Sequence, residues 1–452
     1  MIKKISSTKI ILALISLIIT FFVWQQGLRD SLNRPSVSFD ISQKEQEITE
    51  IALQSTPSNL KKFLINNDPV EEIYNSLSEV SFDQLTDRNK IILIISSDFS
   101  NYEIYKSFLN NTKTKTYSLL IDEIKKKYND NLYKPRPSRF DLFKSDKYLY
   151  HLLSKKFDFD DSSLLTKSLS RKMFLKVLAI RLIPLFTVLL GSIIALKTLW
   201  NTFLSKKIDW KEFIPLDLNL IDMILLIAGG FVVLGEVITP LFSITLVELF
   251  SQNLSSELSQ SLKIFFGYLF MAFPPLLIIY LQIKSLNGEY TLKKDYFELS
   301  KMPIKYSFIK GFQGWLMIIP FVLLVSLIMN FLIDNKNGSN PLLEIVLNTN
   351  NYFALILLLF TTTILAPLFE EIIFRGILLP ILSRDFGIIS GISISAFIFA
   401  LAHLSISEMP PLFVLGIGLG ITRMVSGSLL SSVFMHSLWN GLTFLNLFLL
   451  RT

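Results

Sequence analysis

The stretch YFALILLLFTTTILAPLFEEIIFRGILLPIL, residues 352–382, decides how the chain is read. It is long and apolar enough to cross the hydrocarbon core of a bilayer, for which about 20 apolar residues suffice. In lipid the backbone must satisfy its own N–H and C=O groups, so such a segment is a helix unless it belongs to a closed barrel. Glu370, Glu371 and Arg375 interrupt it. A charge at the centre of a membrane helix costs about 2.5–3.5 kcal/mol on insertion scales, so each calls for a partner or a task.

Further apolar segments run approximately over Ile10–Trp24, Met173–Leu196, Ile221–Leu249, Ile264–Ile283, Trp315–Ile333, Gly387–His403, Pro411–Met424 and Leu429–Leu450. Together they predict an all-α, polytopic helical membrane protein with about nine membrane segments, the Pro411 segment short enough to be re-entrant. Its first partner is then the lipid bilayer. Its expected location is integral and multi-pass, in the plasma membrane or an internal membrane such as a thylakoid. Lys3, Lys4 and Lys9 precede the first segment, and no small-residue cleavage site follows it, so residues 1–29 read as an uncleaved signal anchor.

Of the 452 residues 51% are hydrophobic and 18% charged, against about 25% charged in an average soluble domain. Residues 30–170 depart from that mean, with 20 Lys/Arg and 21 Asp/Glu. Helical spacing in Ile48–Leu53, Leu60–Ile65, Ile73–Val80, Ile91–Ile95 and Tyr117–Ile124 predicts a helical extramembrane N-terminal domain there. Its near-neutral balance excludes a nucleic-acid partner, which would need clustered Lys and Arg. Lys125–Lys127, beside Asp122, Glu123 and Asp130, read as a solvated helix face, and His151 as an ordinary surface or packing residue. Lys and Arg alternate between successive short connections, being plentiful at Lys197–Lys211 and Lys284–Lys310 and sparse at 251–260, 334–350 and 405–410. That alternation predicts a cytoplasmic N-terminus, with residues 30–170 on the opposite side. The Lys293–Lys310 stretch reads as an interfacial amphipathic helix.

The absence of cysteine removes thiol chemistry and Cys-ligated metals, and imidazole chemistry must draw on His151, His403 and His436. Two of these lie in apolar segments, as Phe399-Ala-Leu-Ala-His403 and His436-Ser-Leu-Trp-Asn440. Glu371 and Arg375 are four residues apart and can pair on one helix face. Glu370, about 100° further round, remains free to face a cavity. Counting about 1.5 Å per residue from the connecting turns, Glu370, His403, His436 and Asn440 can converge within the membrane. A carboxylate in a dry pocket is a competent general base, and imidazole and amide N–H groups can serve a developing oxyanion. Two other readings use the same residues. Glu370, His403 and His436 could hold a zinc ion, although no His-Glu-x-x-His helix exists and Asn440 would then be idle. Alternatively they are polar groups that bond neighbouring helices, the role expected of the isolated Glu236.

In order and context, Glu370-Glu371-x-x-x-Arg375, Phe399-x-x-x-His403 and His436-x-x-x-Asn440 resemble the CPBP intramembrane endopeptidases, the CAAX prenyl proteases and bacteriocin-processing enzymes also called Abi proteins. The resemblance covers roughly residues 310–450 and implies a protease core at 310–452, preceded by membrane helices of unassigned role at 171–309. It implies that Glu370 and His403 activate water and that His436 and Asn440 form the oxyanion hole, with Glu371, Arg375 and Phe399 in support. It also implies no metal, no cofactor, and a peptide or membrane-protein substrate. Members that act as partners of other membrane proteins make a non-catalytic scaffold of the same fold an alternative.

Overall fold

The computed structural model describes residues 6–34, 37–54, 56–64, 67–97, 115–130, 132–159, 167–205, 208–211, 213, 216–286, 302–332 and 341–451. Among them every regular element is helical. The elements are α1 (Ser7–Asn33), α2 (Ser38–Leu53), α3 (Ser58–Leu64), α4 (Pro69–Ser78), α5 (Asp87–Ser96), α6 (Lys115–Asn129), α7 (Lys147–Phe157), α8 (Lys167–Ser205), α9 (Leu220–Ser251), α10 (Ser256–Ser285), α11 (Ile304–Leu332), α12 (Pro341–Asn348), α13 (Tyr352–Phe386), α14 (Ile388–Leu401), α15 (Met409–Ser426) and α16 (Leu429–Leu449).

Among the described residues seven helices, α1, α8, α9, α10, α11, α13 and α15, are long and apolar enough to cross a membrane, against the nine segments expected. The difference lies in two helices near the C-terminus. At 14 residues α14 is too short. The 21 residues of α16 are diluted by Ser431, Ser432, His436, Ser437 and Asn440. The chain is a multi-pass integral membrane protein. Of the basic stretch read as an interfacial helix, residues 293–301 lie outside the described residues, and Ile304–Lys310 form the start of α11.

Two compact units divide the chain: residues 38–183 with 449–452, and residues 1–37 with 184–448. The first is a small helical body whose core comprises Ile48, Ile51, Ile73, Leu77, Ile91 and Leu149, all buried. Its polar centre is Arg88, at the start of α5. The guanidinium donates to both oxygens of Glu47 (2.7 and 3.0 Å) and to both oxygens of Asp146 (2.5 and 3.0 Å). Asp146 also caps α7 by accepting from the Leu149 amide at 3.1 Å. Of the two roles expected of His151, surface or packing, the structure shows packing: it is buried, with Nε2 3.3 Å from Glu50 and Nδ1 3.2 Å from the Gln54 amide nitrogen.

In the second unit three wide-turn π segments, Leu225–Ile238, Thr361–Leu365 and Ile372–Leu378, each end two residues before a proline: Pro240, Pro367 and Pro380. Proline lacks an N–H, and the widened turn reroutes the bonds around the gap. Thus the Ala366 N–H reaches back five residues to the Thr361 carbonyl, and the Leu379 N–H to that of Phe374. Glu370 and Glu371 lie in the α-helical turn between two such segments. Close helix contact relies on small residues: a Cβ on Gly311 of α11 would come within 2.6 Å of the Ser431 carbonyl oxygen on α16.

Burial pushes the Asp146 and Glu50 carboxyls up, but Arg88 on the first, and His151 with Lys155 on the second, outweigh it and hold both below their ordinary values of 3.8 and 4.5. Because the folded values are depressed, this stabilisation is full above those ordinary values and is lost as pH falls through the depressed ones. Arg88→Ala strands the buried Glu47 carboxylate. It is expected to destabilise residues 38–183 by roughly 3–5 kcal/mol, read as faster hydrogen exchange of α2, α5 and α7 in the full-length protein at neutral pH.

Candidate active site

The cluster is built around a cation that cannot reach water. Arg375 is fully buried on α13. Its Nη1 donates to Glu371 Oε1 at 2.9 Å, one helical turn away, and its Nη2 to the Gly416 carbonyl of α15 at 3.2 Å. The guanidinium carbon lies 4.3 Å from the centre of the Phe399 ring on α14, a cation–π arrangement. Close approach of α15 depends on Gly416 itself, where a Cβ would meet the Ala396 backbone of α14 at 3.0 Å.

Glu371 in turn orients the last helix. Nδ1 of the buried His436 is 3.0 Å from Glu371 Oε1, and its Nε2 faces Glu370 Oε2 at 3.8 Å. The other Glu370 oxygen, Oε1, accepts a hydrogen bond of 2.5 Å from the Tyr268 hydroxyl of α10. A single file therefore runs Tyr268, Glu370, His436, Glu371, Arg375. Glu370 is 6% exposed, and its Oε2 has no hydrogen-bond partner among the described residues.

His403 lies just past the end of α14, in a turn where Leu404 adopts φ +49°. Its Nδ1 is 2.8 Å from the Phe399 carbonyl oxygen. Since a carbonyl only accepts, Nδ1 carries a proton, and in the neutral ring Nε2 is the nitrogen with the lone pair. The Phe399 ring stands between the two imidazoles, edge-on to His403 at 4.8 Å and to His436 at 5.7 Å. Asn440 sits one turn beyond His436 and donates to the Thr362 carbonyl at 2.9 Å. That carbonyl is short of a donor: the Ala366 N–H has gone to Thr361, and Pro367 has none. Asn440 keeps its second amide N–H.

Direct contacts thus join Glu370, Glu371, Arg375 and His436. Phe399 touches both histidines, and Asn440 is held through the backbone of α13. No three His, Asp or Glu side chains among the described residues have the proximity of metal ligands, and the Arg375 cation already occupies Glu371. Zinc finds no donor set here. Sequence reasoning missed Tyr268 and the carbonyls of Thr362 and Gly416. A tyrosine well inside a membrane helix, away from the interfaces that aromatics prefer, was the available signal for the first.

Two buried carboxylates, a buried imidazole and a half-buried one gathered between membrane helices define the class: a polytopic membrane protein with a polar, enzyme-like centre. Residues 352–442 match the family model described as type II CAAX prenyl endopeptidase Rce1-like, and this C-terminal part is therefore similar to CAAX proteases. Separately, residues 38–175 match a domain of unknown function, DUF8675. No curated protein and no solved structure matches the chain.

Removing the guanidinium leaves the Glu371 carboxylate buried without its cation. Arg375→Ala is expected to lower stability by roughly 3–5 kcal/mol, measured as a fall in melting temperature of the purified protein in detergent. Arg375→Lys, which cannot fork between Glu371 and Gly416, is expected to recover only part of that loss.

Proposed function

We propose that this membrane unit is an intramembrane endopeptidase in which Glu370 and His403 activate a water molecule and His436 and Asn440 form the oxyanion hole. The observation that supports the reading best is the unpartnered Oε2 of buried Glu370, held in file with Tyr268 and His436 within the segment similar to CAAX proteases.

In this mechanism one water proton passes to Glu370 Oε2 while the other is held by the His403 Nε2 lone pair. The water oxygen adds to the peptide carbonyl carbon, and the C=O π pair moves onto oxygen. His436 can donate from Nε2 while Nδ1 serves Glu371 only when both ring nitrogens carry protons. The oxyanion takes the Nε2–H and the second N–H of Asn440. Collapse re-forms C=O and breaks C–N, and the leaving nitrogen takes the proton back from Glu370.

Comparison of membrane peptides that accumulate in cells carrying Glu370→Ala with those in wild type identifies the substrate. Against it, Glu370→Ala and His403→Ala are expected to lose nearly all cleavage. Asn440→Ala is expected to lose about 10²–10³-fold, the scale of one oxyanion donor. Cleavage by Glu370→Ala equal to wild type, or loss with EDTA that zinc restores, overturns the mechanism.

A second role, binding another membrane protein through the extramembrane domain at residues 30–170, is supported by the separate compact unit there and its separate family match. From the lysine and arginine alternation we infer that this domain lies opposite the cytoplasm. Because the chain has no cysteine, single substitutions test this directly. Lys61→Cys is expected to react with an impermeant maleimide in intact cells or sealed vesicles of cytoplasm-inside orientation, and Lys211→Cys only after permeabilisation.

A further inference from the structure

Tyr268 lies on α10, outside the residues similar to CAAX proteases, yet among the described residues its hydroxyl makes the one hydrogen bond to the Glu370 side chain. On the reading that Glu370 is the base, we propose that Tyr268 is a positioning residue. It fixes the Glu370 carboxylate so that Oε1 is occupied and Oε2 is presented to water.

The inference rests on how a carboxylate moves. The last torsion of glutamate is broad and roughly two-fold, so an untethered carboxylate exchanges its two oxygens and spreads over many orientations. A hydroxyl donor on Oε1 at 2.5 Å removes that freedom and satisfies a buried acceptor. Oε2 is then directed toward His436 Nε2, 3.8 Å away. Packing supports the donor from both sides. The wide-turn part of α9 packs against α10, and α10 packs against the first part of α13. Phe231 of α9 stacks on Phe369, next to Glu370, with ring centres 6.1 Å apart.

The groups around Glu370 come from three helices: Tyr268 from α10, His436 from α16, and Glu371 and Arg375 from α13 itself. Glu236 of α9 acts electrostatically on the Tyr268 hydroxyl. Of these, Tyr268 is the hydroxyl donor. Its loss leaves Oε1 buried without a partner and removes a bond that favours the ionised base.

The test uses the full-length protein in lipid nanodiscs, with Tyr268→Phe and with 3-fluorotyrosine at position 268, whose hydroxyl is the more acidic donor. Cleavage of a fluorogenic peptide ending in a prenylated Cys-a-a-X sequence supplies kcat, KM and the pH profile. Infrared difference spectra supply the Glu370 carboxyl band, assigned by its disappearance in Glu370→Gln. Tyr268→Phe is expected to lower kcat about 10–100-fold with KM little changed, the worth of one hydrogen bond to a charged group. The acid limb of the profile is expected to move to higher pH, and to lower pH with fluorotyrosine. The carboxyl band is expected to shift in opposite directions in the two proteins, a readout that needs neither turnover nor a correct substrate and that survives misfolding of the Phe variant. An unmoved band in the fluorotyrosine protein overturns the inference, as does an unmoved acid limb in an active one. Cleavage by Glu370→Gln at the wild-type rate overturns the parent reading instead.

Discussion

A guanidinium enclosed by membrane helices must have its charge answered where it stands, and the C-terminal half of the chain is arranged around that need. Arg375 takes Glu371 from its own helix, a carbonyl from α15 and an aromatic face from α14. Three helices are thereby fixed about one side chain. The consequence passes outward, since Glu371, once paired, presents the acceptor that orients His436 on α16. His436 in its turn faces Glu370. A neutral replacement of similar volume could pack the same space, as buried ion pairs are weak devices for stability alone. What an apolar replacement could not do is aim an imidazole. The charges are better understood as orienting groups than as cement.

Much of this was legible in the sequence because it depends on short-range geometry. The four-residue spacing of Glu371 and Arg375 puts them within reach on any regular helix, and no other element is needed to foresee the pair. The apolar runs were equally plain, since hydrocarbon leaves the backbone few options. Tyr268 was hidden for the opposite reason: it meets Glu370 across 102 residues of sequence, through the packing of α10 on α13, which no local period encodes. The partners of His151 were hidden in the same manner: its neighbours Tyr148 and Tyr150 do not reveal them, and only the fold brings Glu50 and Gln54 to its ring. The count of spans differed because apolar patterning does not separate a helix that crosses the bilayer from one, like α14, that is too short to do so alone.

The wide turns were illegible as well, although their cause stands in the sequence. Pro240, Pro367 and Pro380 each withhold an N–H, but proline elsewhere in these helices, at Pro184 or Pro320, lies in regular α-helix. The prolines that widen a turn on α13 flank the two glutamates. Carbonyls freed there need donors from outside the helix, which makes the backbone around the cluster a set of acceptors as well as a scaffold.

One of those acceptors ties the backbone to the site's own polar groups. The Asn440 amide has two N–H groups, and one is committed to the Thr362 carbonyl. Any ligand that calls for both competes with α13 for a donor. The backbone of α13 and the polar groups of the cluster therefore draw on the same amide, one N–H each.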